Sequence, residues 1–206
     1  ELAVLEFGPL LVRVERWPGL GIPGRVWPSG HLLARGLAEG WPGLPAVRGR
    51  RVAELGAGPG VPSLVCGLLG AAQVIATDTE DVVELLSRNV ALNGLGSVCS
   101  AVCLDWWQCG GVEPWADPDT APLDVVLAAD VLYFEAQEPF VNALQAVMAP
   151  GHTELVLAYR ERTPADRMYL EGSVLSRLEG PRRVECPVVD AVGSCEIYVG
   201  RLKRSG

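Results

Sequence analysis

Residues 51–70 read RVAELGAGPGVPSLVCGLLG. A short apolar strand pattern, Arg51–Leu55, runs into Gly56, Gly58 and Gly60, and an apolar helical pattern then holds to about residue 69. A strand that meets a helix in this way opens a βαβ unit, whose next strand lies parallel to the first. Glycine at the turn lets the backbone bend sharply and lets a ligand lie against the main chain.

The rest of the chain repeats the pattern. Strands are predicted over 73–78, 97–106, 123–130 and 153–160. The intervening helices run through Val82, Leu85, Leu86 and Val90 to a stop at Asn93-Gly94, through Phe140, Leu144 and Val147 to Pro150-Gly151, and from the last of these strands to roughly 179. The segment 107–122, rich in Gly and Pro, is a loop. Two closing strands, near 182–189 and 194–202, are joined by a short link and are expected to be antiparallel. Ahead of these elements, 2–16 alternates around Gly8-Pro9 as a hairpin, 18–24 is a connector, and 29–40 is a helix with Ser29 as its N-cap. The expected fold is α/β, a seven-stranded, mostly parallel sheet with helices on both faces and a short N-terminal hairpin. A single domain over 1–206 is expected, with 1–26 as hairpin and connector and 27–206 as the core.

In an open parallel sheet, ligands bind beyond the carboxyl ends of the strands, near the switch in strand order. The glycine turn is therefore the place to look. A P-loop needs Gly-Lys-Ser/Thr, but Val61-Pro62 follow Gly60, which excludes a nucleoside triphosphate. A dinucleotide fingerprint wants its third glycine one residue later, where Val61 stands. A tight turn with no ligand is the remaining option. Asp78, at the end of the second strand of the unit, favours a nucleoside, because an acid there can accept from both ribose hydroxyls. Asp78 also suits an N-cap for the next helix.

Composition narrows the partners. Net charge is −8, with 25 acidic against 17 basic residues, which argues against general nucleic-acid binding. The same charge suits a basic protein partner, and it also suits plain solubility. No apolar run reaches the ~18 residues that span a bilayer. No basic-then-apolar leader opens these residues, although a chain starting at Glu1 leaves a preceding segment open. The six cysteines include no Cys-x-x-Cys and histidines are only two, so no zinc site and no metal are expected. Buried free thiols in a reducing compartment are the expected state.

Beyond these readings, the sequence resembles a known family. ELGAGPG, ATD and NVALNG look like the S-adenosylmethionine site of the Rossmann-like seven-β-strand methyltransferases. RVWPSG (25–30), LDW (104–106), AADVLYF (128–134) and the terminal EIYVGRLKR narrow the resemblance to family 16 of the protein-lysine methyltransferases, from about residue 10 to 203. Trp107 stands where family members often carry Gly, and the Pro-rich 107–122 loop is longer than usual.

The resemblance implies S-adenosyl-L-methionine as cofactor. Gly56, Ala57 and Gly58 would line its methionine part, with Glu54 just ahead of the turn counted in the site. Asp78 would hold the ribose, Trp106 would lie against adenine, Trp27 would cover the cofactor from the N-terminal segment, and Ala129 would allow close approach. Read from the residues alone, Trp106 also suits a core aromatic and Trp27 a hydrophobic staple before Ser29. Asp130 and Tyr133, in Asp-x-x-Tyr, are the catalytic candidates: the carboxylate captures and aims an acceptor ammonium, and Tyr133 supplies an aromatic wall and a hydroxyl. A helix cap is the structural alternative for Asp130. Glu161 and Arg160 sit at the same rim, where surface charge accounts for them equally well.

The resulting expectation is a protein-lysine N-methyltransferase, a monomer located in the cytoplasm with the nucleus as a further option. Its protein substrate would be a chaperone, an AAA ATPase or a translation factor, with no nucleic-acid or membrane partner. The alternatives are methylation of arginine, histidine or a small amine, and a non-catalytic binding module of the same fold. An NAD-linked oxidoreductase is disfavoured by the glycine spacing.

Overall fold

A computed structural model describes residues 1–107, 121–132, 137–187 and 195–204. Strands β1 (Leu2–Phe7) and β2 (Leu10–Glu15) form the antiparallel hairpin, turned by Gly8 at φ 57°. They are followed by α1 (Pro28–Glu39), β3 (Arg51–Leu55), α2 (Val61–Leu68), β4 (Gln73–Asp78), α3 (Glu80–Leu92) and β5 (Cys99–Cys103). Then come β6 (Val125–Ala129), α4 (Gln137–Val147), β7 (Glu154–Arg160), α5 (Pro164–Tyr169), β8 (Leu178–Val184) and β9 (Cys195–Leu202). No helix among the described residues is long and apolar enough to cross a membrane.

The main sheet has seven strands in the order β5-β4-β3-β6-β7-β9-β8. The first five are parallel, and β9 runs antiparallel to both β7 and β8. The chain therefore builds outward from β3 through β4 to β5, then returns to add β6 and β7 on the other side. The switch point lies between the carboxyl ends of β3 and β6, and it positions the site.

Period-two alternation sends each strand's side chains to two cores. On one face, Val52, Leu127, Val156 and Ile197 pack with Leu33 of α1, Leu64 of α2 and Val90 of α3. On the other, Ala53, Val126, Ala128, Leu155 and Leu157 pack with Phe140 and Leu144 of α4 and with Tyr169 and Leu170. Covering both faces explains why strands such as VVLAA are apolar throughout.

The hairpin lies outside this sheet and is fastened to α3 by two asparagines one turn apart. Asn89 accepts from the Glu15 N–H (2.7 Å) and donates to Glu15 O (3.0 Å) and Pro59 O (2.9 Å). Asn93 accepts from the Arg13 N–H (2.9 Å) and donates to Arg13 O (2.7 Å). Each amide thus pairs with the free edge of β2 as a neighbouring strand would, and Asn89 also reaches the glycine turn. The NVALNG stretch is accounted for by these bonds.

Three expectations are corrected. Helix α1 starts one residue early, with Trp27 as N-cap and Pro28 at its first position, and Ser29 is buried inside the first turn. Proline's fixed φ and missing N–H suit that first position. The predicted helix to 179 is broken into α5, a π turn over Leu170–Val174 and a 3₁₀ turn over Leu175–Arg177. From Leu178 onward the backbone pairs with β9, across an irregularity between Glu179 and Arg182 where Gly180 takes φ 51°. The third and fourth strands are shorter than expected, because the chain turns at Trp106 and at Asp130.

Asn89→Ala leaves three backbone groups without their partner. We expect it to lower stability by about 3 kcal/mol in urea unfolding, with Asn93→Ala milder because that side chain is more exposed.

Candidate active site

At the switch point lies a cavity of about 400 Å³, within the range of small-molecule sites. Its walls come from five places. The connector before α1 contributes Leu20, Ile22, Pro23, Arg25 and Trp27, and the β3–α2 turn contributes Glu54, Gly56, Ala57 and Gly58. The end of β4 supplies Asp78 and Thr79, the segment after β5 supplies Leu104 to Trp107, and the end of β6 supplies Ala129, Asp130 and Val131. All described residues expected at the site meet here. Tyr133 lies outside the described residues.

The turn is held by short bonds on every side. Gly56, Gly58 and Gly60 take φ 66°, 52° and 82°, values that L side chains rarely adopt. A Cβ at Gly56 would sit 3.1 Å from Trp106 Cζ2 and Val131 Cγ1, and one at Gly58 would sit 2.9 Å from Pro23 O. The first two glycines therefore keep the cavity open. The third has a different role: a Cβ at Gly60 would overlap Leu86 Cδ1 of α3, so this glycine serves helix packing. The Ala57 N–H donates to Thr77 O (2.9 Å), and the Gly58 N–H donates to Asp78 Oδ2 (2.7 Å).

Asp78 also accepts at Oδ1 from the Thr79 N–H (2.8 Å), and the N-cap of α3 is Thr79, so the capping reading of Asp78 does not hold. Burial pushes the Asp78 carboxyl above its usual range, opposed by the Gly58 and Thr79 N–H bonds. Each carboxylate oxygen has a further lone pair for a ligand hydroxyl. Glu54 is almost fully buried, and its Oε2 accepts from Ser63 N–H (2.9 Å) and Ser63 Oγ (2.5 Å). It thus braces the first turn of α2 from beneath. Desolvation pushes its carboxyl up to about 7.

Trp106 faces Gly56 and packs tilted against Phe140, ring centroids 5.2 Å apart. Trp27 donates from Nε1 to Ile22 O (2.9 Å), which ties the connector into a flap across the cavity, and it is not a staple. Trp107 is 68% exposed at the mouth, an unusual place for an indole.

Asp130 ends β6 with φ 61°, and among the described residues it is the one non-glycine at positive φ. Its N–H donates to Ala158 O (3.0 Å) of β7. The side chain is 3% exposed, and Oδ1 lies 2.6 Å from Arg162 Nη2. That contact joins charges off-axis: neither carboxylate oxygen receives a hydrogen bond of normal geometry among the described residues. Among the described residues no helix follows Asp130 directly for it to cap, since Val131 and Leu132 are not helical. Glu161 is engaged by Arg167 (2.8 Å) and faces away from this role. Sequence reasoning missed Arg162 and the connector residues Leu20, Ile22 and Pro23. A signal for the connector was available in the run of apolar residues between its glycines.

Comparison with known proteins relates most of the chain to methyltransferases. The profile of a family described as lysine methyltransferase matches residues 10–174. Protein N-lysine methyltransferase METTL21A of Danio rerio is 32% identical over 159 residues, which are 76% of this chain and 69% of that protein. The Mus musculus METTL21A is 31% identical over 175 residues, 82% of this chain and 75% of that one. Among solved structures, the C-terminal domain of precorrin-6Y C5,15-methyltransferase from Rhodobacter capsulatus shares the fold, with a TM-score of 0.56, 19% identity, and coverage of 91% of this chain and 94% of that one.

The raised Glu54 carboxyl has a measurable consequence. Because the folded state holds this proton more tightly than the unfolded state, stability falls as pH rises from about 4.5 to about 7 and is level above. The group contributes about 3 kcal/mol across that window. We expect thermal unfolding of the ligand-free protein to show this fall, and Glu54→Gln to remove most of it.

Proposed function

The chain belongs to the lysine methyltransferase family, and from that premise we propose how this cavity performs S-adenosylmethionine-dependent methylation of a lysine side chain in a protein substrate. The residues present fit the donor. Gly56 and Gly58 leave room that a Cβ would take, Asp78 keeps acceptor capacity, and Trp106 offers an indole face at the end of β5. Gly56, Ala57 and Gly58 would line its methionine part, Asp78 would hold the ribose hydroxyls, and Trp106 would lie against adenine, a contact that contributes about 1–3 kcal/mol. Ala129 allows close approach, Trp27 closes the connector side against water, and Glu54 keeps the turn in place through Ser63.

When bound, S-adenosylmethionine would supply an electrophilic methyl group, whose carbon an amine nitrogen attacks in line as the carbon–sulfur bond breaks and S-adenosylhomocysteine leaves. The protein's own task is to deliver that nitrogen unprotonated and aligned. A free lysine amine, with pKa about 10.4, needs roughly 4–5 kcal/mol to be neutral at pH 7. A carboxylate alone raises that requirement, since it favours the ammonium. Asp130 therefore captures and aims the acceptor cation, while burial beside a sulfonium drives its proton to water. Alignment is the larger catalytic contribution.

The observation that carries this reading is Asp130 itself: a buried carboxylate, aimed by an uncommon backbone angle at the donor cavity, with its oxygens unoccupied by ordinary hydrogen bonds. Tyr133 completes the Asp-x-x-Tyr pair as an aromatic wall in this proposal. Free cysteines support a reducing location, the cytoplasm or nucleus. The substrate classes offered by the resemblance, a chaperone, an AAA ATPase or a translation factor, are separated by mass spectrometry of the labelled band.

Two substitutions test the assignment. Asp78→Ala is expected to weaken S-adenosylmethionine binding on the order of 100-fold by calorimetry, about 3 kcal/mol; undiminished affinity removes the ribose role. Asp130→Asn keeps a residue that tolerates positive φ and removes the charge. Donor affinity is expected to stay within about threefold, while labelled-methyl transfer to lysate proteins falls by about two to three orders of magnitude. Transfer at the wild-type rate rejects the acceptor role of Asp130.

A further inference from the structure

Arg162 lies two residues past the end of β7, and its side chain reaches Asp130 and Trp27 of the cavity wall. Its backbone is fixed: the Arg162 N–H donates to Asp166 Oδ2 (3.0 Å), which also receives the Thr163 N–H (2.8 Å) in the capping box of α5. Its side chain spans outward from that anchor. Nη2 meets Asp130 Oδ1 at 2.6 Å, Nη1 donates to Arg160 O at 3.4 Å, and the guanidinium carbon lies 5.8 Å from the centre of the Trp27 ring. A carboxylate together with an aromatic face is the chemistry that binds an ammonium group. Here the chain's own cation is seated on both.

We propose that Arg162 is a resident stand-in for the acceptor cation, which occupies the acceptor position on Asp130 until a substrate lysine displaces it. The inference rests on the acceptor role given to Asp130 above. Three features support displacement rather than a permanent pair. The two partners are unequally placed: the Asp130 side chain is 3% exposed and that of Arg162 is 32% exposed. Asp130 is also tied into the sheet through Ala158, whereas the Arg162 guanidinium sits at the end of a long, rotatable side chain, so the arginine is the partner that moves. Finally, the contact lacks the paired, in-plane geometry that makes arginine–carboxylate bonds strong.

The arrangement has a consequence for specificity. Leaving Asp130 buried without a counter-charge is strongly unfavourable. An incoming ammonium replaces one cation by another and avoids that state, whereas a neutral side chain cannot. Arg162 therefore acts as a filter that admits cationic acceptors. It cannot take the acceptor's proton, because a guanidinium stays charged throughout the working pH range. Its departure to solvent leaves the ammonium beside Asp130 and the wall formed by Trp27.

The test uses n-butylamine, protonated at pH 7, as a lysine side-chain probe. Its binding to the protein saturated with S-adenosylhomocysteine is followed by ligand-observed NMR. Arg162→Ala and Arg162→Gln are both studied. The second keeps a polar stem beside Trp27 and guards against loss of folding, and Arg162→Lys restores the cation. We expect the Ala and Gln variants to bind butylammonium about tenfold more tightly than wild type, with the Lys variant close to wild type and S-adenosylhomocysteine affinity unchanged. Unchanged or weaker butylammonium binding in both charge-removing variants overturns the stand-in role, as does loss of S-adenosylhomocysteine binding in both. Adding Asp130→Asn to Arg162→Gln separates the two proposals. Abolished probe binding upholds Asp130 whatever Arg162 does, and retained probe binding rejects the acceptor role of Asp130 itself.

Discussion

The hydrogen bond from the Gly58 N–H to the Asp78 carboxylate is the constraint on which the site depends, because it ties the first crossover turn to the tip of the neighbouring strand. Without it, three glycines in succession would form a loose loop, since glycine gives up more conformational freedom on ordering than other residues. The bond does not act alone. Ser63 and Glu54 fix the start of α2 beneath the turn, and Asn89 fastens Pro59 O from the side of α3. A turn held from three directions presents its backbone to a ligand already in place, so little ordering remains to be done on binding.

Among the described residues four carboxylates line this one cavity, and three of them, those of Glu54, Asp78 and Asp130, are each compensated in a different way. Glu54 is bonded to Ser63 and protonates readily near neutrality; Asp78 is bonded to two backbone N–H groups; Asp130 is met by a guanidinium. A concave, partly desolvated surface that gathers acids has a built-in preference for cations. Both species required by the chemistry, a sulfonium and an ammonium, are cations. The overall charge of −8 is a weaker argument than this local arrangement, because exposed charges are screened over about 8–10 Å at physiological salt.

What the sequence revealed follows the range of the interactions. The glycine turn, Asp78 and the order of strands and helices were legible because each depends on neighbours along the chain. The antiparallel closing pair was legible from the short link before β9. The start of α1 was misplaced because Ser29 was read as a cap, while Pro28 decides the matter one residue earlier. The helix expected to run to about 179 gives way to π and 3₁₀ turns after Tyr169, and from Leu178 pairing with β9, a partner far along the chain, overrides helical spacing. Arg162 was not legible at all, and the connector wall left only its apolar residues between glycines as a signal. Leu20, Ile22 and Pro23 become a wall only when Trp27 folds the segment over Gly58, and Arg162 meets Trp27 and Asp130 only when β6 and β7 lie side by side. NVALNG was read as part of a motif, yet the purpose of its asparagines emerged only with the hairpin docked on α3.

The backbone at Asp130 explains why an aspartate stands where β6 ends. In β6, Val126 and Ala128 point into the core under α4, and Ala129 points to the opposite face. One more residue of regular strand would send side chain 130 after Ala128, into an apolar layer with Leu155, Leu157 and Phe140, where a carboxylate has no partner. A φ of 61° ends the alternation and turns the carboxylate to the cavity instead. That conformation costs an L residue roughly 1–2 kcal/mol, and aspartate is among the few that visit it routinely. A glutamate would meet the same backbone at higher cost and with a longer, less defined reach. The strain persists because the Asp130 N–H is bound to Ala158 and because Val131 and Leu132 are buried directly after it. A precorrin methyltransferase domain shares this fold, and a fold alone does not set what its site acts on. What a site selects is set where strands end, and at the end of β6 this chain turns one buried carboxylate into the cavity.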